Sequence, residues 1–592
     1  MLPSNAVTFP KLVAHAAMAG LYGGLVVALL LRLANSPGGS ERGWPVVAPL
    51  VVVLAYTLAA AFVWPVLYAA LRFFASHRLR LGWMSLRYAN GFLTVNMAAL
   101  LGSGWTMLSE YRSGLAPPVA DRLTRVCVFL TIAWLVEVTV ATAPSLRRRT
   151  APQAAAAGIA LVALLVSLRL GPASGAGTLA AGTRPDRGET ADPAASLSGG
   201  PAADPSVPGT EGGPPAVGRR LLLLNFDGAD LDTILTMQAQ GKLPGFSRLV
   251  QEGSYGRLAS IAPCVAPVTR ATLITGMLPY RHGVRSDQVR SVFGRPPRFD
   301  IVPPGIGFDL LLAPVLERRA SSVSERRTLA FWEISGRQGG RGEAAGWDID
   351  LDDARAEWAE VSTDGAQKDW IGKVLDPEVM RQKDPKARSL VREIKRAVAA
   401  DTSVLDALRR FGTRNERGVA ALSFPGLDRV AHVFLRYARP ADFGNVGARD
   451  VDLYGPVLER YYRRIDGIVE SALRAEAEST LVLVTATHGI EPAPPLHRLR
   501  DEILGGEHLS GVHEDAPAGF LFAHGVVVSR GRVFGKGSIA DVTPTVLYAL
   551  GLPVARDTHG SILAGLFSEA YTAAHPVTVI GSYDMDQAEY SP

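Results

Sequence analysis

Residues 219–235, RRLLLLNFDGADLDTIL, set four consecutive leucines directly before Asn225, Phe226, Asp227 and Gly228. An unbroken apolar run with no polar alternation suits a strand buried on both faces of a parallel sheet. A carboxylate at the C-terminal end of such a strand stands at the edge where open α/β sheets bind ligands. GVAALSFPG (418–426) and STLVLVTATHG (479–489) repeat the theme, an apolar run followed by polar residues at its tip. Helical patterns lie between them. LPGFSRLVQEGSYGRL (243–258) reads as a helix and a turn, and YGPVLERYYRRIDGIVESALRAEA (454–477) has apolar residues at helical spacing. Strands alternating with helices predict an α/β domain with a mostly parallel sheet sandwiched by helices.

Working outward, the first third differs in kind. The chain has 592 residues, 48% of them hydrophobic. That length implies two or three units, and that apolar content points to membrane segments. Apolar stretches near 12–32, 46–74, 88–108, 126–144 and 153–170 each approach the ~20 residues that span a bilayer. They predict an all-α, five-helix transmembrane region over 1–170. Arg72, Arg78, Arg80 and Arg87 crowd the second connection, and Arg147, Arg148 and Arg149 the fourth. Basic loops stay inside. The N-terminus is therefore expected in the cytoplasm and everything after residue 170 outside, as a multi-pass cell-membrane protein. Glu137 within the fourth stretch reads either as a functional membrane carboxylate or as a helix contact. Residues 171–218 are Gly, Pro, Ala and Ser with almost no large apolar side chains, the composition of a flexible tether. The domain beyond is expected over 219–592, with a substrate-side insertion at about 285–415 carrying an acidic stretch, DIDLDDARAEW, as an exposed lid. A net charge of +5 makes no case for a nucleic-acid partner. The two cysteines, Cys127 and Cys264, form neither a disulfide framework nor a CxxC metal motif.

The strand tips collect metal-ligand residue types. Asp227 follows the first strand. Asp428 and His432 are an i,i+4 pair that a helix would place on one face. His488 follows a strand, and His513 lies in GVHEDAPAG. Two aspartates and three histidines at strand ends form a plausible Zn²⁺ set.

The motifs NFDGAD, RATLITGMLPYRHGV, GLDRVAHVF, TATHGI, GVHEDAPAGFLFAHG and IADVTPTVLYALGLPVARDTHGSIL occur in that order. Through them the chain from about 219 to 570 resembles the alkaline phosphatase superfamily. It is closest to the type I phosphodiesterase and nucleotide pyrophosphatase branch, which is related to sulfatases and phosphoethanolamine transferases. The resemblance implies an alkaline-phosphatase-like fold and one or two divalent ions, usually zinc with manganese as the alternative. It places Asp428, His432 and His513 on one ion, and Asp227 and His488 on the other.

Three positions depart from that pattern. Counted back from Thr275 and Gly276, the family's nucleophile falls on Ala266, and a second-site carboxylate falls on Thr487. A phosphate-holding asparagine is replaced by Asp287. Thr269 and Cys264 are the substitute nucleophile candidates; their plainer roles are a helix cap and a small buried apolar residue. Arg270, where sulfatases keep an arginine, is a candidate for binding the substrate anion or for an ion pair. A three-ligand zinc site can also activate water directly, with no threonine. The resulting expectation is a membrane-anchored, metal-dependent hydrolase or phosphotransferase, acting outside the cytoplasm on a phosphoester or lipid-linked small substrate. The alternative is a pseudoenzyme that keeps the pocket for binding or scaffolding in the cell envelope.

Overall fold

The computed structural model describes residues 9–35, 47–75, 86–142, 220–305, 307–348, 365–382, 384–412, 418–444, 446–475, 480–495, 498, 510–513 and 517–584. The expected fifth span at 153–170, the linker at 171–218 and most of the acidic stretch after residue 348 lie outside the described residues.

Four long helices come first: α1 (Phe9–Asn35), α2 (Val47–Ala75), α3 (Leu86–Glu110) and α4 (Pro117–Thr142). Within α1 and α2, Leu12–Asn35 and Val47–Leu67 are long and apolar enough to cross a membrane. The side-chain distribution agrees with an apolar surrounding. Leu50, Leu54, Leu58 and Phe62, one turn apart along α2, are 57–72% exposed. Met18, Leu21 and Leu25 on α1 and Val128, Ile132 and Leu135 on α4 are exposed as well. Water gives no reason to leave such stripes uncovered. The α1–α2 contact is built on small residues. A Cβ on Gly20 would collide with the Tyr56 carbonyl, and one on Gly24 would fall 2.7 Å from the Val53 Cα. Close backbone approach of this kind is how helices associate where no hydrophobic effect drives them.

The leucine run does form a strand, β1 (Arg220–Asn225). The other strands among the described residues are β2 (Ser254–Ala259), β3 (Gln288–Val292), β4 (Arg295–Phe299), β5 (Leu316–Ala320), β6 (Arg341–Ala345), β7 (Gly418–Ser423), β8 (Thr480–His488), β9 (Glu491–Pro492), β10 (Gly511–Val512), β11 (Ala518–His524), β12 (Arg532–Val533), β13 (Gly537–Ser538), β14 (Val554–Ala555) and β15 (Val579–Ile580). The main sheet runs β12-β2-β11-β8-β1-β7-β6. β6, β7, β1 and β8 are parallel neighbours, and β11 runs against β8 and β2. The period of two splits each apolar run between two cores. Leu222 and Leu224 pack on one face with Val482, Val484, Ala420 and Leu422. Leu221 and Leu223 pack on the other with Leu481, Leu483, Val419 and Ala421. Helices cover both faces, which is why the run shows no alternation. The stretch 285–415 is not a single unit: β6, within it, is the edge strand of the main sheet.

β3, β4 and β5 form a separate small sheet that sits against one end of the helical bundle. Phe299, Val302 and Phe308 pack with Val27, Leu31, Ala48 and Val52. Asn35 at the end of α1 closes this contact. Its amide donates to the Ile301 carbonyl at 2.7 Å, and its oxygen accepts from the N–H groups of Asp300 and Ile301 at 3.1 and 3.0 Å. Arg285 ties Asp300 to the Ala34 carbonyl. Replacing Asn35 by leucine keeps the branched outline of the side chain and leaves buried backbone groups unpaired, at a cost of about 1–3 kcal/mol each. Asn35→Leu is expected to lower the thermal midpoint of the full chain in detergent, read by intrinsic fluorescence; an unchanged midpoint would mean the contact is dispensable.

Candidate active site

The site is built at the C-terminal edge of β1, β7 and β8. Asn225 is held in register by its amide on the Ser423 hydroxyl at 3.0 Å, while the Phe226 N–H reaches the Thr485 carbonyl. Asp227 therefore leaves the sheet between the tips of β7 and β8. Gly228 follows with φ +74°, and a Cβ there would lie 2.6 Å from Asp428 Oδ1. Only glycine lets the tip of β1 lie against the helix that carries Asp428.

That helix, Gly426–Ala438, starts just after β7 and puts Asp428 and His432 on one face, as the spacing predicts. His432 Nε2 stands 3.6 Å from Asp428 Oδ1. Its Nδ1 donates to the Gly511 carbonyl at 2.7 Å, which fixes Nε2 as the nitrogen turned to the site. Gly511 belongs to β10, so the same strand delivers His513 two residues on. Ligand atoms of Asp428, His432 and His513 all lie within 4.8 Å of one another. The His513 ring packs against those of His432 and His488, with centroids 5.1 and 4.7 Å away. His488, at the end of β8, donates from Nδ1 to the Gly489 carbonyl, and its buried Nε2 makes no hydrogen bond among the described residues. Burial alone would raise the Asp428 carboxyl, yet His432, His488 and His513 together hold it far below the usual carboxylate range. One carboxylate and three imidazoles, of which His432 and His488 are each oriented by a backbone carbonyl, fit a divalent ion of the zinc type.

The other half of the site is arranged differently. Asp227 is fully buried, and its Oδ2 accepts from Arg270 Nε at 2.6 Å. Its Oδ1 accepts from the Thr487 hydroxyl at 2.6 Å and from the Thr487 N–H at 3.3 Å. The Thr269 hydroxyl donates in turn to Thr487 Oγ1 at 3.1 Å. Burial would raise the Asp227 carboxyl, but Arg270, His488 and Thr487 hold it below its ordinary value. Arg270 and Thr269 both come from the helix Ala266–Thr275, whose first residue is Ala266. The position that would carry a nucleophile thus stands at a helix start with a methyl group. Thr269 lies one turn further in and is completely buried, and Cys264 is 8% exposed with Sγ 3.4 Å from the Ser260 hydroxyl. Asp287, by contrast, is exposed at the end of the turn that precedes β3.

All seven sequence-predicted residues, Asp227, Thr269, Arg270, Asp428, His432, His488 and His513, gather at this one sheet edge. Two contributors were not read from the sequence. Gly228 was visible as a glycine directly after a strand-tip carboxylate, though nothing in the sequence says what it must clear. Trp347, whose carbonyl receives Arg270 Nη1 at 3.4 Å, had no signal at all.

A mixed sheet flanked by helices, with a histidine–carboxylate cluster at the edge where open α/β sheets bind ligands, matches the alkaline-phosphatase-like fold. Within it, the sequence model described as type I phosphodiesterase / nucleotide pyrophosphatase matches residues 221–525, just over half of the chain, and the chain belongs to that family. The family is metal-dependent, typically on zinc. Two solved structures of murine ectonucleotide pyrophosphatase/phosphodiesterase 5 are similar, one of them an inactive threonine-to-alanine form in complex with AMP. They are 15% and 14% identical, cover 59% of this chain and 100% of their own, and have a TM-score of 0.34. No curated protein sequence matches the chain.

Gly228→Ala is expected to push Asp428 off its position and weaken binding of Zn²⁺ by about 10–100-fold, the usual cost of disturbing a ligand's support; competition titration with a chromophoric chelator measures it, and unchanged affinity would mean Asp428 does not need the close approach. A second outcome concerns His282, fully buried in the turn after the Ala266–Thr275 helix. Its Nδ1 accepts from the Val284 N–H and its Nε2 lies 2.9 Å from the Thr272 hydroxyl, which already donates to the Val268 carbonyl. The ring is thus neutral, and burial, with His559 and Arg326 nearby, lowers its pKa from 6.5 to about 3. The unfolded chain binds this proton first, so the contribution is intact above pH 6.5 and is lost as pH falls toward about 3. Denaturant midpoints of the full chain against pH should fall more steeply across that window than those of His282→Gln.

Proposed function

We propose that the chain is a membrane-anchored phosphoester hydrolase or phosphotransferase whose outer domain works at the Asp428–His432–His513 centre, with water instead of a side chain as the attacking group. The observation that carries this reading is the convergence of those three ligand groups within 4.8 Å, beside a buried His488 nitrogen. A divalent ion there, zinc or manganese, supplies Lewis-acid chemistry at a phosphoryl oxygen. The chain's own residues then orient and shield. His432 is fixed by Gly511, Asp428 is kept ionised, and the burial of Asp227, His432 and His488 limits access of bulk water. Ala266 has no oxygen to offer, and the Thr269 hydroxyl is turned into the protein toward Thr487.

The placement supports action outside the cytoplasm. The end of α1, the start of α2 and the α3–α4 turn lie at the bundle end that meets the small sheet, whereas the end of α2, the start of α3 and the end of α4, which border the arginine-rich stretches in sequence, are the opposite helix ends. Basic connections on the cytoplasmic side put the catalytic domain on the outer side. The stretch 153–170 is then the return span and 171–218 the tether. The same placement favours a substrate held in or near the membrane. In the α3–α4 turn, the Ser113 hydroxyl donates to the Ala262 carbonyl, four residues before Ala266. The bundle rim therefore adjoins the catalytic loop, within reach of a lipid-linked phosphoester.

The second reading, a phosphoester-binding protein without turnover, is favoured by one specific observation: Ala266 and Thr487 together remove the nucleophile and a second-site carboxylate. Full-length chain in detergent, loaded with Zn²⁺ or Mn²⁺ and assayed on aryl phosphodiesters and monoesters, separates the two. Hydrolysis that falls at least 100-fold in His432→Ala, yet survives in Thr269→Ala and Cys264→Ala, supports the water mechanism. Loss in either of the latter would mean a side-chain nucleophile. Bound metal with turnover of neither ester class would establish the binding role over the hydrolase.

A further inference from the structure

The family resemblance puts a second divalent ion on Asp227 and His488, and the residues present do not fit one. Both oxygens of Asp227 are already engaged, Oδ2 by the Arg270 guanidinium at 2.6 Å and Oδ1 by the Thr487 hydroxyl at 2.6 Å. The pair is sealed: the Arg270 and Asp227 side chains are 5% and 0% exposed. Arg270 is braced from its far side by the Trp347 carbonyl, and Trp347 is itself pinned by its indole N–H on the Ala421 carbonyl at 2.9 Å. The cation is thus built into the core and does not lie across the mouth of the site.

The charge balance says the same. An ion on this side would meet one carboxylate whose charge a guanidinium already neutralises. Its other donors would be the neutral Thr487 and His488, and Ala266 contributes no oxygen. A divalent ion here would also sit beside a fixed positive charge at close range in a buried setting, where screening is poor. The Thr269–Thr487–Asp227 chain of hydroxyl hydrogen bonds completes a set of partners that needs no ion.

We infer that Arg270 occupies the second cation position as a permanent side-chain charge, so that the centre is mononuclear, with its one divalent ion on Asp428, His432 and His513. Arg270 is in this sense a positioning residue. It holds Asp227 and gives the site a fixed positive charge on the flank where the two-ion relatives would carry a second ion. The inference rests on the metal centre proposed above and deepens it by stating its stoichiometry.

The test is a metal count on the full chain in detergent, stripped with chelator, equilibrated with excess Mn²⁺ alone, desalted and measured by mass spectrometry, with the electron paramagnetic resonance spectrum taken in parallel. One Mn²⁺ per chain is expected, with the spectrum of an isolated ion, and affinity should drop at least tenfold in His432→Ala. Two ions per chain, or a spin-coupled spectrum, overturn the inference and leave the proposed hydrolase centre standing. One ion that survives His432→Ala also overturns it, because the ion would then sit on the Asp227 side. No bound ion defeats both readings together. The double variant Arg270→Ser, Thr487→Asp removes the built-in cation and supplies a carboxylate, and it should take up a second Mn²⁺. A properly folded double variant, judged by circular dichroism, that still holds only one ion would show that Arg270 is not what excludes the second.

Discussion

The buried pair between Asp227 and Arg270 is the interaction on which the site's arrangement turns. Taking two charges out of water costs several kcal/mol per ion, and only close, hydrogen-bonded geometry offsets it. Here the geometry is met on both partners. Asp227 accepts from Arg270 and twice from Thr487, and Arg270 reaches the Trp347 carbonyl as well. The pair joins the tip of β1 to the helix Ala266–Thr275 and, through Thr487, to β8. Removing one partner alone would leave a buried charge uncompensated, a loss of about 3–5 kcal/mol in comparable settings. The rim of the sheet is accordingly rigid on this side, and the ligand cluster across from it is built on a fixed frame.

The opposite side of the site depends on a different constraint, the close approach of backbone to side chain at Gly228. Asp428 cannot stand where it does unless the turn after β1 carries a residue without a Cβ at position 228. From Asp428 the dependence runs along one helical turn to His432, across a hydrogen bond to Gly511, and along β10 to His513. Each link is short and local, yet the residues lie far apart in sequence. What assembles them is the parallel register of β7, β1 and β8, set by burying leucine, valine and alanine on both faces of the sheet. Packing energy therefore places the ligands, and polar hydrogen bonds only trim their orientation.

Much of this was legible in the sequence, for identifiable reasons. Four leucines in a row announce a strand covered on both faces, and they form β1. The i,i+4 spacing of Asp428 and His432 announces one helix face, and the helix Gly426–Ala438 presents them so. Strand-tip positions for Asp227 and His488 follow from the same logic. The helical first third was legible through its apolar stretches, four of which are helices here; among the described residues, Leu12–Asn35 and Val47–Leu67 are the two long and apolar enough to cross a membrane. What the sequence hid were contacts between elements distant along the chain. Nothing local in Arg270 says that it faces Asp227 in place of an anion, and nothing in Asn35 says that it clasps Ile301. The edge position of β6, inside a stretch that reads as an insertion, was hidden for the same reason: strand partners are chosen by three-dimensional packing, and β6 is too short and polar to declare its neighbour.

The two halves of the site also differ in how they handle charge, and this difference explains why substitutions cluster in one of them. Around Asp428 a single carboxylate faces three imidazoles that can all be neutral, so the group as a whole invites an added cation. Around Asp227 the single carboxylate already faces a guanidinium, so the group is electrically complete. Once Arg270 is buried there, a carboxylate at position 487 would have nothing further to balance, and a threonine hydroxyl that donates to Asp227 is the better neighbour. A nucleophile oxygen at position 266 would likewise lack the ion that would lower its pKa, and an alanine opening the helix costs nothing in return. Ala266, Thr487 and the Arg270–Asp227 pair are therefore three expressions of one electrostatic arrangement, consistent among themselves and separate from the histidine–carboxylate cluster of Asp428, His432 and His513.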